Sequence, residues 1–239
     1  MKKAADSGDA EAQGLLGGMY RLGIGTLRDD EKAAHRARRA AEQGDIKAML
    51  NIAMYYDKGE GVPQNRIFAA SWFKKAAEKG NSDAQTFLGE YYKGGLGGLP
   101  KNEAEAVKWF RKAADQGDTA AEYYLGEAYN TGQGVKQDYK AAIYWYQKAA
   151  EKIFLPAIHN LGLMYMLGEG FEKNPKEGLA YVLTAAKEGL PESQYLMGLE
   201  YERGEYVKKD LKEAARWYQL AASKGYVKAR EALEGLNKR

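Results

Sequence analysis

The sequence predicts an all-α solenoid, a stack of antiparallel helix pairs. Three observations carry that expectation. The chain matches itself at an offset of 36 residues, widened once to 37 by an extra residue in the Gly94–Pro100 turn. Small and apolar residues recur at helical spacing in each copy, and Gly-rich turns alternate with Asp or Asn in a fixed register.

The first element of each copy, helix A, is read from four columns. One is Ala12, Ala48, Ala84, Ala121, Ala157, Ser193 and Ala229, and four residues on stand Leu16, Ile52, Leu88, Leu125, Leu161, Met197 and Leu233. The next holds Gly17, Ala53, Gly89, Gly126, Gly162 and Gly198, and three further on come Tyr20, Tyr56, Tyr92, Tyr129, Tyr165 and Tyr201. Spacing of i, i+4, i+5 and i+8 marks one face of a helix, with a small residue where a neighbour packs close. The helix then ends in G-x-G, whose first Gly (Gly23, Gly59, Gly95, Gly132, Gly168, Gly204) suits the left-handed position after a helix. The second is Gly25, Gly61, Gly97, Gly134 and Gly170, replaced in the sixth copy by Tyr206.

Helix B opens at Asp29, Asn65, Asn102, Asp138, Asn174 and Asp210, the residue types preferred at N-caps. It carries Trp72, Trp109, Trp145 and Trp217 at one position, with Tyr181 in the fifth copy. Paired alanines such as Ala40-Ala41 and Ala76-Ala77 follow, and a closing Gly ends the unit. Small columns let helices approach to the lower end of the usual 8–10 Å while Tyr and Trp fill the remaining space. One pair cannot bury both its faces, so the units must stack. The expected organisation is one domain over 1–239, with repeats at 9–44, 45–80, 81–117, 118–153, 154–189 and 190–225. Residues 1–8 read as the end of a preceding repeat. Residues 226–239 read as a C-terminal capping helix with Lys228, Arg230, Glu231 and Lys238 on a polar outer face.

Composition narrows the function classes. With 239 residues, 45% of them hydrophobic, the chain can bury a core, which excludes a mainly disordered protein. The 36 basic and 33 acidic residues leave a net charge of +3, which argues against a dedicated nucleic-acid or polybasic membrane surface. No apolar run approaches the roughly 18 residues of a membrane helix. Absence of Cys removes disulfides, thiolate nucleophiles and Cys-based metal sites, and leaves the redox compartment open.

These residues resemble the Sel-1-like repeat family, a relative of the tetratricopeptide repeats. The pattern runs A-x3-L-G-x2-Y-x2-G-x-G, then D/N-x3-A-x2-W-Y/F-x2-A-A-x2-G, over essentially the whole chain. Tetratricopeptide units share the L-G-x2-Y core but usually run 34 residues, so the 36-residue period and the longer turn favour the former family. The resemblance implies a right-handed superhelix of six full repeats plus partial terminal helices, with helices A on the concave wall and helices B on the convex one. It also implies an adaptor or binding module, since characterised relatives act in signalling, protein quality control and bacterial host interactions.

Two copies depart from the pattern. Repeat one has Arg36 in place of Trp, within a basic run of Arg28, Lys32, His35, Arg36, Arg38 and Arg39. That run reads as a solvated face near a terminus, the competing reading being contact with something acidic. Repeat five replaces the closing Gly with Ile153 and continues Phe154, Leu155, Pro156. Pro is tolerated in a first helical turn, which points to a re-angled joint and not a break.

No chemistry stands out. His35 and His159 are too far apart for an i, i+4 metal pair, and neither G-x-S-x-G nor a phosphate-binding G-x4-G-K-[ST] occurs. The G-x-G pairs recur with the period after a helix, as caps do. No enzyme activity, cofactor or metal is therefore expected.

The informative positions are those the repeat leaves free. On the implied fold a stripe of helix A faces the concave groove. Its columns are Gly14, Leu50, Thr86, Tyr123, His159, Tyr195; then Gly18, Met54, Glu90, Glu127, Leu163, Leu199; then Arg21, Asp57, Lys93, Asn130, Met166, Glu202. Chemistry varies along these columns while the core columns stay alike. The expected partner-binding residues are Leu50, Met54, Asp57, Glu90, Tyr123, Glu127, Asn130, His159, Leu163, Met166, Tyr195, Leu199 and Glu202. Aromatics and Met suit adaptable protein or peptide recognition, and the carboxylates favour a basic segment. The competing account has Leu163, Met166 and Leu199 packing between neighbouring A helices.

The leading functional expectation is a non-enzymatic scaffold that binds a protein or peptide in its groove. The alternative is an inhibitor or immunity protein that blocks a bacterial effector enzyme, as some relatives are. Nucleic-acid binding would need a basic groove with steep salt dependence, whereas these columns lean acidic. Neither nucleic acid nor membrane insertion is expected. Met1-Lys2-Lys3 is followed by Asp6 and Asp9 without a signal-peptide apolar core. Lys3–Gly8 matches Lys75–Gly80, which points to sequence removed upstream. The resemblance tilts localisation toward the periplasm or outside, because bacterial relatives are commonly exported.

Overall fold

The computed structural model describes residues 2–237, and every regular element among them is a helix. After α1 (Lys2–Asp6), helices A and B alternate: α2 (Ala10–Leu22), α3 (Asp30–Glu42), α4 (Ile46–Lys58), α5 (Arg66–Glu78), α6 (Ser82–Gly94) and α7 (Glu103–Ala114). They continue as α8 (Thr119–Thr131), α9 (Tyr139–Glu151), α10 (Leu155–Leu167), α11 (Pro175–Lys187), α12 (Pro191–Arg203), α13 (Leu211–Ser223) and α14 (Val227–Asn237). Even-numbered helices from α2 onward are the A helices. The expected capping position Lys238 lies outside the described residues.

Local chemistry sets both ends of each helix. All six Asp and Asn residues read as helix B caps accept a backbone N–H from the first turn, as Asn102 does from Glu105 at 3.0 Å. Helices A have caps too. Asp9, Asp45, Asn81 and Asp118 accept from Ala12, Ala48, Ala84 and Ala121 at 2.7–2.8 Å. Each such bond contributes about 1 kcal/mol. At the other end, Gly59 has φ 76° and returns its N–H to the Tyr55 carbonyl at 2.8 Å, which closes α4.

The chain divides into two compact units, residues 1–125 with 133–136, and residues 126–132 with 137–239. In the first, Ile52, Leu88, Phe73 and Phe110 are buried within a frame of alanines from α3, α5 and α7. The small column explains itself at Gly89: a Cβ there would stand 2.5 Å from the Phe110 ring. The second Gly of the turn has a different reason. Gly61, Gly97 and Gly134 lie directly on the first-turn carbonyls of Asp30, Arg66 and Glu103, each in the helix B of the preceding repeat. The G-x-G loop is thus a peg set on the start of the helix before it.

The second unit keeps this plan with local changes. The rings of Tyr146 and Tyr218 lie against Gly126 and Gly198. Tyr206, in place of the second Gly, leaves the left-handed region and packs its ring on the Leu179–Val182 cluster. In α14, Glu234 is exposed at the column that holds Gly or Ala in the other A helices.

Both departures resolve locally. Arg36 is not a solvated cation: its side chain is largely covered and bonds Asp6 Oδ1 at 2.5 Å, an acidic contact inside the chain. Its neighbours are paired as well, Arg28 with Asp30, Lys32 with Asp29 and Arg38 with Glu42. Ile153 takes the conformation of the Gly it replaces, with φ 60°, and is the one positive-φ non-Gly residue among those described. α10 then starts normally with Pro in its first turn. A β-branched residue pays about 1–2 kcal/mol in this region, whereas Gly loses roughly 0.5–1 kcal/mol in unfolded-state entropy. The Ile153 side chain is 69% exposed and packs little. Ile153→Gly is therefore expected to stabilise the protein by about 0.5–1 kcal/mol, read as a higher urea midpoint. A lower midpoint would show that the side chain holds the joint.

Candidate functional site

The thirteen residues expected to bind a partner are all half-buried, whereas Arg21 and Thr86 of the same columns are exposed and buried, respectively. Leu50, Met54, Asp57, Glu90 and Tyr123 in the first unit all fall between core and free surface, and so do Glu127, Asn130, His159, Leu163, Met166, Tyr195, Leu199 and Glu202 in the second. Their repeat position explains this. Each stands two to nine residues after the buried Ala or Ser of its helix, beside the face that packs on helix B and not within it.

In the first unit the stripe is cross-linked. The Tyr91 hydroxyl of α6 donates to Asp57 Oδ1 of α4 at 2.5 Å, and Arg66 Nε stands 3.5 Å from the same oxygen. Thr86 is fully inside and donates to Asp118, the cap of α8, at 3.0 Å. Burial pushes the Glu90 carboxyl up from its ordinary range, while a hydrogen bond from Tyr124 and the charge of Lys93 pull the other way. Lys93 lies 5.2 Å from the centre of the Tyr124 ring, and Tyr123 packs beside that ring at 5.6 Å. Leu50 and Met54 rest on the Phe73–Tyr91 cluster. At the end of this unit α2 contributes Gly14 and Gly18, and an open cavity of about 530 Å³ lies between Glu11, Gly14, Leu15, Asp45 and Ile46.

In the second unit His159 Nδ1 stands 2.8 Å from Ser193 Oγ on the next A helix. Burial lowers the His159 pKa, opposed by the charge of Glu192, so the ring is neutral near pH 7. Ser193 is completely covered, while His159 is half-buried. Tyr218 donates to Glu202 Oε2 at 2.8 Å. Leu199 and Tyr195 pack on the Ala214–Tyr218 cluster, and Met166 on the Leu179–Val182 cluster beside Gly178. Leu199 and Met166 thus hold helix B partners and stay half-buried. No group of three metal-binding side chains is found among the described residues. No helix among them is long and apolar enough to cross a membrane.

Two buried polar features fall outside the columns read above. Gln13, Gln85 and Gln194 donate through Nε2 to the carbonyls of Ala5, Ala77 and Ala186 at 3.0–3.1 Å, each in the preceding B helix. Glu200 is 3% exposed at the position of Tyr55, Tyr91 and Met164, and burial with nearby Glu205 raises its pKa. Glu200 stands in an otherwise apolar column, whereas the Gln column mixes Gln and Glu122 with Met49 and Ile158.

This period and these helix pairs match the Sel1 repeat family model six times, at residues 10–45, 46–81, 82–118, 119–152, 155–190 and 191–226. The chain belongs to the Sel1 repeat family. Among solved structures it is similar to a protective antigen of uropathogenic Escherichia coli with an SLR fold, at 38% identity and a TM-score of 0.84. That likeness covers 97% of this chain and 50% of the antigen, so the chain spans half the length of that relative. A Sel1 repeat protein from Oxalobacter formigenes is 33% identical with a TM-score of 0.79, over 97% of this chain and 67% of that one. An immunity protein of Pseudomonas aeruginosa, Pa5087, shares the fold at 20% identity and a TM-score of 0.55, over 92% of this chain and 82% of its own. No curated protein matches the sequence. Sel1 repeat proteins are generally protein-interaction scaffolds, typically without enzymatic activity.

Proposed function

We propose that this Sel1 repeat chain is a non-enzymatic scaffold that holds a protein or peptide along the stripe of its A helices, the groove-facing stripe expected above. The observation that supports this reading is the half-burial of the thirteen expected partner-binding residues together with their varied chemistry. Half-buried Tyr, His, Leu and Met side chains are already ordered by the fold, so a ligand gains contact area without the entropy of fixing them. Asp57, Glu90 and Glu202 each hold an internal donor, yet a carboxylate can accept several hydrogen bonds. They therefore retain capacity for a basic segment.

Capture of partners by the immobilised protein, with mass spectrometry and a titration of the purified partner, tests the reading. Replacing Tyr123, His159 and Tyr195 together by Ala is expected to weaken that partner by at least about tenfold, the loss of one to two interface anchors. Unchanged affinity alongside an intact helical spectrum would reject the stripe. The immunity proteins of P. aeruginosa have only the fold in common with this chain, and no residue of the stripe favours their role over a general scaffold.

A further inference from the structure

The N-cap positions of the A helices change character along the chain. The first four carry Asp or Asn and cap their helices, whereas the last three are Phe154, Leu190 and Tyr226. Phe154 and Leu190 make no side-chain bond to the helices they open. At the last joint the cap is a tyrosine that stands beside a second ring. The Tyr226 ring lies 5.3 Å from the Tyr195 ring, tilted by 44°, and Tyr195 in turn lies 5.7 Å from the buried Tyr218. Tyr195 and Tyr226 are half-buried, and both pack against the Ala214–Tyr218 cluster.

Glu192 completes the arrangement. It precedes Tyr195 by three residues on α12, which places both on one helix face. It is exposed, and no hydrogen bond or ion pair engages it among the described residues. The carboxylates Asp57, Glu90 and Glu202 differ in this respect, since each has a donor. Burial raises the pKa of Tyr226 and the charge of Glu192 adds to it, while at His159 the same charge opposes the effect of burial. The equivalent joint at the start of the chain has Glu11, Gly14 and Asp45 in the same register, an open cavity with no ring in it. The two joints share a carboxylate, but only the later one adds π faces.

We propose that Glu192, Tyr195 and Tyr226 form a receptor for one cationic side chain, arginine in preference to lysine, of the protein or peptide held on the A-helix stripe. The inference rests on the scaffold reading above and names a point of partner recognition within it. An aromatic face attracts a cation through its quadrupole, and an adjacent carboxylate adds direct charge pairing. Guanidinium can stack on a ring and present its N–H fork to the carboxylate together, which the compact ammonium cannot do.

The test uses the intact protein and three small probes: N-acetyl-arginine amide, N-acetyl-lysine amide and the neutral N-acetyl-norleucine amide. Amide and aromatic NMR signals of residues 192–195 and 226 are followed at low ionic strength. Saturable shifts are expected with arginine, weaker ones with lysine and none with norleucine. Glu192→Gln, a change at an exposed site, is expected to weaken arginine binding about three- to tenfold, and Tyr195→Leu by a similar factor. Absence of saturation, equal response to norleucine, or indifference to Glu192→Gln would overturn the receptor. A captured partner that binds Glu192→Gln as tightly as the parent, but fails on the triple alanine variant, rejects the receptor and leaves the scaffold standing. A partner indifferent to both variants rejects the scaffold reading itself.

Discussion

Gly61→Ala is expected to destabilise the first unit by about 2–4 kcal/mol, a large share of the 5–15 kcal/mol that holds a typical domain. Two costs combine. With φ 67° the residue occupies the left-handed region, where a Cβ costs about 1–2 kcal/mol. The new methyl would also collide with the carbonyl of Asp30 and come within 2.7 Å of the Glu31 nitrogen. Those atoms are backbone of the first turn of α3 and cannot rotate away, so one to a few kcal/mol of overpacking is added. Gly59→Ala is the control. Its φ is 76°, but the nearest atom is the Gln64 Cβ at 3.2 Å, so mainly the conformational cost remains. Urea midpoints of the two variants decide the matter: equal losses would mean that the turn lifts off α3 at no cost.

Tyr218→Ala is expected to cost about 3–5 kcal/mol, the range for deleting a large buried ring. Tyr218 is fully covered, its ring edge lies against Gly198, and its hydroxyl bonds Glu202. Gly198, which the ring covers, has no side chain to move into the void. Tyr218→Phe keeps the ring and removes one hydrogen bond, with an expected loss near 1 kcal/mol. Thermal or urea unfolding separates the two. Near-equal losses would assign the energy to the Glu202 contact instead of the packing.

Much of this architecture was legible because every joint in a repeat array poses the same packing problem. The Gly column had to be small to admit Phe110, Tyr146 or Tyr218, and six Asp or Asn residues had to start six B helices. What varies from joint to joint was harder to read. The Asp9, Asp45, Asn81 and Asp118 caps form a column that turns apolar at Phe154, so periodicity conceals it. The buried Gln13, Gln85 and Gln194 share their column with Met49, Glu122 and Ile158, which hides their common bond to the previous helix. Stripe positions could be named from variability alone. Their engagement could not, because it depends on which tyrosine of a neighbouring helix reaches them. Tyr91 finds Asp57 from the next A helix, while Tyr218 finds Glu202 from the following B helix. Spacing within one helix holds no information about either.

The replacement of capping side chains by Phe154 and Leu190 reaches beyond recognition. A helix start without a side-chain acceptor leaves its first N–H groups to water, and Pro156 and Pro191 remove only one donor from each set. Hydrogen–deuterium exchange should therefore be uneven along the array. The opening amides of α10 and α12 would exchange faster than those of α4 and α6, whose Asp45 and Asn81 caps tie them down. The surface that presents its apolar helix starts would then also be the one whose backbone opens most readily, so that a partner closing over it would be visible first as slowed exchange.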